Sequence, residues 1–465
     1  MKNIFLSIIT IVTLFGSGCK KFIDVNTDPN NPIDVTEKLL LAPIEYQVAH
    51  NVTTGNATAG PTHIQQIMQV IALNQPVPNF GTYQFVPANL DVTWSSIYTG
   101  TLQNLRILKE KAETNGNFNY SAIAKILTAY TIGVTTDYWG DIPYSQSLKG
   151  IENFLPVYDK QEDIYKEIQS LLDQGLADIA KNAALKPTSD DFFFAGDMNK
   201  WKRLAYTLKA RNYMHLTKIY SAGAQADLTL TSLQNGMVSN ADDLRFAYPG
   251  TANAENRWNL NMRPVETLIL ASTIVDTLKA RNDPRLPLLV TPAKTDGAYR
   301  GRQIGIVGAL PNFNSFSAIG PSYANANSPL YIVTYSEALF LKAEATLIKS
   351  GFAAAQPFHR DGIKSHFVKL GIDTATAAAQ SYLNSRGVLT ASNALQRIIE
   401  EKTIANFLSL ENYNDWRRTG FPSLTQVPNA VSTIPRRFIY PQSELNTNPQ
   451  PEHTAKMTDR VWWDK

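Results

Sequence analysis

The sequence predicts a mostly α fold with little β structure, in which a helical scaffold carries long irregular loops. Apolar residues recur at helical spacing through most of positions 36–73, 90–139, 161–220 and 331–411. Two stretches rich in Pro, Gly or Asn, 74–89 and 238–330, lack a sustained period. We therefore expect one helical unit over 36–465 with a loop-rich insertion at about 238–330.

The first 18 residues have the features of an export signal. Lys2 precedes an apolar run over 4–15, which is shorter than the roughly 20 residues that cross a bilayer. Small residues then precede Cys19, the only cysteine of the chain. The pattern predicts a bacterial lipoprotein with an acylated Cys19 and a tether over 19–35; a plain secretory signal with an incidental cysteine is the alternative.

Asp and Asn alternate over 24–30, as they do in a calcium-binding loop. The loop would need Gly where Pro29 stands and a bidentate Glu where Val35 stands. We therefore predict no metal site here.

Composition describes an ordinary globular chain, with 44% hydrophobic and 18% charged residues. A net charge of +3 over 465 residues gives no support for nucleic-acid binding. The 20 Tyr, 20 Phe and 7 Trp can supply both a core and stacking surfaces for sugars or peptides.

The helix at 120–139 is the clearest single element, because one face collects apolar side chains and a turn then ends it. Gly140 can adopt a left-handed conformation, and Pro143 stops continuation. A structural cap is the favoured role for this aromatic turn. Further helices are expected at 36–51, 61–73, 90–114, 161–182, 201–220, 264–281, 331–350, 354–370, 374–385 and 391–411.

Catalytic motifs are missing from the sequence. It has no G-x-S-x-G elbow, H-E-x-x-H pair or Walker loop. The carboxylate pairs at 190–191 and 400–401 are adjacent, so they would diverge on a helix. We predict a protein without cofactor or enzymatic activity, although a site assembled in space stays open. For Arg417 and Arg418 a buried charge network is favoured over an anion clamp.

Several motifs together carry a family resemblance. DYWGDIPYSQSL at 137–148 resembles a turn of SusD/RagB-type proteins, the surface lipoproteins that lie over outer-membrane nutrient transporters. Further matches in family order are CKKFIDVNTDPN at 19–30, NDPRL at 282–286, YSEALFLKAEA at 335–345, the block 397–420, IPRRFIYPQSELNTNP at 434–449 and VWWDK at 461–465.

The resemblance implies a tetratricopeptide-like scaffold of helical pairs and a lipid-anchored outer-membrane protein that faces the exterior. It implies binding of a nutrient, a glycan or an oligopeptide, and delivery to a SusC-like TonB-dependent transporter. A surface glycoside hydrolase that uses the loops as its cleft, and a helical-repeat adaptor, are the alternatives.

A glycan site needs exposed aromatic planes beside hydrogen-bonding groups, and helix-face aromatics are committed to the core. The two loop regions supply the candidates, with Trp258 as the first choice for a stacking platform. The alternative is that these aromatics only pin the loops to the helices. The candidate ligand-binding residues are Asn74, Phe80, Tyr83, Arg257, Trp258, Asn261, Phe313, Phe316 and Tyr323.

The anchor prediction is tested by Cys19→Ala. We expect the variant to leave the membrane fraction, because the acyl chains on Cys19 would be the part of the protein that anchors it in the membrane. Fractionation of cells that express each form, followed by immunoblotting, measures the change. A processed variant that stays wholly with membranes would contradict the prediction.

Overall fold

The computed structural model describes residues 35–262, 268–307, 311–451 and 454–465. The export signal 1–18, the anchor Cys19 and the tether up to residue 34 lie outside the described residues. The mostly α fold is confirmed, since helices dominate and the strands are two to four residues long.

The described helices are α1 (Glu37–Gln47), α2 (Gly60–Ile67), α3 (Asp91–Ser95), α4 (Gln103–Thr114), α5 (Phe118–Trp139), α6 (Gln161–Ala180), α7 (Met198–His215), α8 (Ala222–Leu233), α9 (Arg257–Asn261), α10 (Ser272–Ala280), α11 (Leu286–Leu289), α12 (Pro321–Ala324), α13 (Tyr335–Lys369), α14 (Ala377–Arg386), α15 (Ala394–Ala405), α16 (Glu411–Thr419) and α17 (Gln442–Thr447). The strands are β1 (Ile71–Leu73), β2 (Leu244–Phe246), β3 (Leu268–Leu270), β4 (Val290–Thr291), β5 (Ala318–Ile319) and β6 (Leu330–Val333). Turns of π-helix, Val48–Thr54 and Ser96–Leu102, follow α1 and α3.

The scaffold is a series of helices in which neighbours along the chain pack on each other. Each helix from α4 to α7 packs on the next one along the chain; α8 then packs on α13, and α13 packs on α15. At Gly175 of α6 a Cβ would lie 3.0 Å from the Ile126 side chain, so the glycine lets α5 and α6 approach closely. This packing agrees with the stacked helical pairs that the resemblance implied.

The aromatic turn after α5 is a docking point for the C-terminal segment. Gly140 has a φ of 82°, and the Trp139 ring behind it is fully buried. The Trp139 Nε1 donates to the Ile439 carbonyl at 2.9 Å, and the Tyr440 hydroxyl donates to the Asp141 carbonyl at 2.8 Å. The structural role expected for this turn is therefore confirmed.

The short strands correct some helix limits. β1 pairs with β3, β2 with β6 and β4 with β5, all antiparallel. The helix predicted over 61–73 ends before β1, at Ile67. The helices predicted to begin at 264 and 331 begin instead after β3 and β6, at Ser272 and Tyr335. Short apolar runs of this kind fit a helix or a buried strand equally well by periodicity.

The NDPRL motif forms a buried charge cluster. Arg285 donates to Asp283 at 2.7 Å and to Glu401 at 2.8 Å, and all three side chains are fully enclosed. Burial opposes ionisation of Glu401, but Arg285, Arg386 and Arg281 outweigh it and lower its pKa to about 2. The cluster joins the loop region to α15.

Glu401→Gln tests this cluster. We expect the free energy of unfolding at pH 7 to fall by about 3–5 kcal/mol, because buried arginine charge loses its partner. Since the folded pKa lies below the ordinary 4.5, wild-type stability from this group is present above pH 4.5 and is lost towards pH 2. The difference in the free energy of unfolding between variant and wild type should therefore become smaller as the pH falls from 4.5 towards 2.

Denaturant unfolding across pH measures both effects, with Glu400→Gln as a control at a neighbouring carboxylate that is less deeply buried. A Glu401→Gln protein as stable as wild type at pH 7 would contradict the assignment.

Candidate functional site

Segments that are distant in sequence meet on one surface of the protein. The first is the predicted loop 74–89, which lies beside residues 302–307 and 311–316 and beside the segment 422–434 after α16. The Asn74 Nδ2 donates to the Pro311 carbonyl at 3.1 Å. The Val431 amide donates to the Thr82 carbonyl at 3.0 Å, and the Asn429 Nδ2 donates to the Gly305 carbonyl at 2.8 Å.

The loop 74–89 holds its shape with its own side chains. The Asn79 Oδ1 accepts from the Gly81 amide at 2.8 Å, and the Thr82 Oγ1 accepts from the Asn79 amide at 2.8 Å. These bonds cap a turn of 3₁₀-helix over Phe80–Thr82. Tyr83 then adopts a left-handed conformation with a φ of 67°, which reverses the chain towards Phe85.

Phe80 and Phe85 form a pair of half-buried rings. Their centroids are 5.2 Å apart, with an angle of 30° between the planes. Behind them lies the fully buried His63, whose ring is 4.3 Å from Phe80 and 5.0 Å from Phe85. Burial outweighs the hydrogen bonds of His63 and lowers its pKa to about 4, so the support is uncharged at neutral pH.

A surface groove opens beside the Phe80 ring, with a cavity volume of about 570 Å³. This volume lies in the range of ordinary ligand clefts. Its walls combine flat apolar groups with four amide side chains, of which Gln75 and Gln84 are free to donate and accept hydrogen bonds. The lining residues are Gln75, Pro76, Pro78, Asn79, Phe80, Gln84, Val86 and Asn89.

Phe313 and Phe316 lie on the neighbouring segment and are also half-buried. The Arg302 guanidinium lies 5.6 Å from the Phe316 ring centroid, and its Nε donates to the Leu73 carbonyl at 3.1 Å. Arg302 therefore joins this segment to the start of the loop 74–89. The structure brings Asn74, Phe80, Phe313 and Phe316 to one surface.

The structure corrects the choice of Trp258 as a stacking platform. Its side chain is 1% exposed, because α9 turns it into the core. The Asn261 Nδ2 and the half-buried Arg257 Nε both donate to the Gly55 carbonyl, at 3.2 and 3.1 Å. Trp258 offers no exposed face, and its two neighbours hold the backbone at Gly55.

Tyr83 and Tyr323 are corrected for the same reason. Both are buried in the core. The Tyr323 ring packs against Phe407 with centroids 5.2 Å apart, and its hydroxyl lies 3.3 Å from the His366 Nε2. For these residues the alternative that aromatics pin the loops is the better description.

Sequence reasoning did not select several groups that the structure places here. Phe85 and Gln84 lie in the predicted loop 74–89, but the spacing of residues in a loop does not indicate which side chains border a groove. The segment 422–434 gave no signal, because its contact with Thr82 runs through the backbone amide of Val431.

Two other cavities have a different character. A groove with a volume of about 590 Å³ is lined by charged residues that include Arg106, Glu110 and Glu167. Burial raises the pKa of Glu167, against the opposing charge of Lys109, while Glu110 pairs with Arg106 at 2.8 Å. A small cavity of about 30 Å³ lined by residues of α5, α7 and α16 has room for about one water molecule.

Within the described ranges, no group of three or more His, Cys, Asp or Glu side chains is arranged to hold a metal ion. None of the helices in those ranges is both long and apolar enough to cross a bilayer.

Residues 29–441 match the family SusD-like_2, described as "Starch-binding associating with outer membrane". No sequence of curated function matched the chain.

Solved structures share the fold over nearly the whole chain. A protein described as chitin-binding is 25% identical with a TM-score of 0.80, and the match covers 92% of this chain and 100% of that one. A chitin-binding SusD homolog from Flavobacterium johnsoniae is 22% identical with a TM-score of 0.79, over 92% and 98%. A SusD/RagB family protein from Bacteroides thetaiotaomicron is 23% identical with a TM-score of 0.78, over 93% and 99%.

Proposed function

This chain belongs to the SusD-like family, which is associated with the outer membrane, and on that premise we propose that it binds a glycan in the groove beside Phe80. Relatives named for starch and chitin binding support a carbohydrate ligand. The observation that carries the location is the half-buried Phe80 in the lining of a groove with amide side chains, with the Phe85 ring packed against it.

The chemistry of this pair suits a sugar. A pyranose ring presents a flat face of C–H groups that can lie on an aromatic plane, while its rim of hydroxyls needs donors and acceptors. The side chains of Gln75 and Gln84 offer both, and the Asn89 Nδ2 offers a donor, whereas the Asn79 amide is engaged within the loop. Because hydrogen bonds within the loop fix it beforehand, a ligand has less conformational entropy to remove on binding.

A hydrolase would use this groove differently. Glycosidases need two carboxyl groups that flank the scissile bond. The residues that line this groove include four amides and no Asp or Glu. The charged groove that includes Glu167 is the better place for such an activity, because burial raises the pKa of that acid. Loss of hydrolysis in Glu167→Gln would identify that alternative.

Phe80→Ala and Phe85→Ala test the binding site. We expect each variant to bind about thirtyfold more weakly, since truncating a central aromatic contact costs ~2 kcal/mol or more. Calorimetry with starch- and chitin-derived oligosaccharides measures the affinity, and chromatography of the recovered sugar shows whether it stays intact.

Phe154→Ala is the matched control, because this phenylalanine is exposed and lies outside the groove. Thermal unfolding of each variant separates loss of binding from loss of fold. Unchanged affinity in both Phe80→Ala and Phe85→Ala would exclude this groove.

We also propose that the protein is lipid-anchored through Cys19, faces the exterior and delivers its ligand to a SusC-like TonB-dependent transporter. One observation supports a protein partner: the segment 150–157 exposes Ile151, Phe154 and Leu155 by 87, 73 and 49%. A cluster of exposed apolar side chains of this size is typical of an interaction surface.

The double variant Ile151→Ser/Phe154→Ser tests the partner. We expect it to recover less transporter than wild type when the tagged protein is purified from detergent-solubilised membranes, because apolar contact area is lost. Val368→Ser, at another exposed position, is the control. A wild-type protein always recovered without a transporter barrel would contradict the partnership, and equal recovery by the double variant would exclude this surface.

A further inference from the structure

Apart from the export signal, three long stretches of the sequence contain no Asp, Glu, Lys or Arg. They are 46–90, 303–336 and 419–435, in a chain with 18% charged residues. At that average, the first stretch would hold about eight charged residues. The charge-free stretches include both loops of the candidate site and the segment that follows α16.

The fold brings these three stretches together. Besides the contacts of Asn74, Asn429 and Val431 given above, the Gln69 Nε2 donates to the Thr425 carbonyl at 2.6 Å. Gly305 has a φ of 79°, and a Cβ there would overlap the Pro428 carbonyl, so the second and third stretches touch at backbone distance. The result is one continuous surface, which we call the neutral surface, made of the described residues of 74–90, 303–316 and 422–434.

Several charged groups at its border are already engaged, and the exposed Lys294 lies outside the groove lining. The Arg302 guanidinium is buried between the Leu73 carbonyl and the Phe316 ring. Arg300 donates to the Ser315 carbonyl at 2.9 Å and pairs with Asp296 at 2.7 Å. His63, under the Phe80 ring, is uncharged at neutral pH. At the far edge, the Asp91 carboxylate accepts from Ser443 at 2.9 Å.

We infer that the neutral surface selects uncharged glycans and rejects anionic ones such as uronates and sulfated sugars. The inference rests on the proposed function, since it specifies the ligand of the same groove. An anionic substituent placed against this surface would lose water without gaining a cation, which is unfavourable. The negative faces of Phe80 and Phe85 add to that penalty.

Amides meet the needs of a neutral sugar without a net charge. Gln75 and Gln84 can each donate to one hydroxyl and accept from another, and the Asn89 Nδ2 can donate, while the Asn79 amide is engaged within the loop. Because these contacts join neutral groups, screening by salt should leave the affinity almost unchanged. A site for anionic glycans would instead lose affinity as salt increases.

The test compares maltohexaose, cellohexaose and fully N-acetylated chitohexaose, which are all uncharged, each with a form whose primary hydroxyls have been oxidised to carboxylates. Calorimetry on the full chain is run from about 0.05 to about 0.5 M NaCl, a range over which the Debye length shortens about threefold. For the hexaose that binds, we expect Kd to change less than about twofold with salt, and its oxidised form to bind at least about tenfold more weakly.

Gln84→Lys provides the gain-of-function arm, because this groove side chain is exposed. It should strengthen binding of the oxidised form selectively, whereas Gln84→Met, of similar length and no charge, should not. Equal affinity for the neutral and oxidised forms, or neutral binding that weakens strongly with salt, would overturn the selectivity while leaving glycan binding intact. Failure of all six sugars to bind would overturn the proposed function and the inference with it.

Discussion

The buried charge network at the junction of α7, α13, α15 and α16 is the constraint on which the rest of the structure depends. Arg418 donates to Glu344 at 2.8 Å, and Arg211 donates to Glu337 at 2.7 Å. Lys402 pairs with Asp415 at 2.8 Å in the same enclosed region. Because an unpaired buried charge is costly, these partners permit one register of the four helices.

That register decides where the binding surface forms. The segment 422–434 leaves the end of α16 at Gly420, whose φ of 79° turns the chain out of the helix. The loop 74–89 leaves α2 and β1 on the same side of the molecule, so the two segments meet at Thr82 and Val431. The groove therefore lies where the segments that follow β1 and α16 come together.

Charge is divided between these two parts of the protein. The scaffold uses its ionic groups internally, in clusters such as that of Arg285 and Glu401, while the neutral surface has aromatic, apolar and amide groups. Recognition there must rest on stacking, shape and hydrogen bonds between uncharged groups. Hydrogen bonds within the loop, such as that from the Gly81 amide to Asn79, prepare this surface before a ligand arrives.

The sequence by itself determined the helical class, most helix limits and the loops that carry the candidate site, because periodicity and turn residues act over a few neighbouring positions. It also indicated the buried use of Arg417 and Arg418 and the cap at Gly140. Only the tertiary structure decided which loop aromatics are accessible. Trp258 and Phe80 look alike in sequence, yet one is enclosed and the other borders the groove. Exposure depends on contacts between residues hundreds of positions apart, such as Val431 with Thr82, and no local pattern contains them.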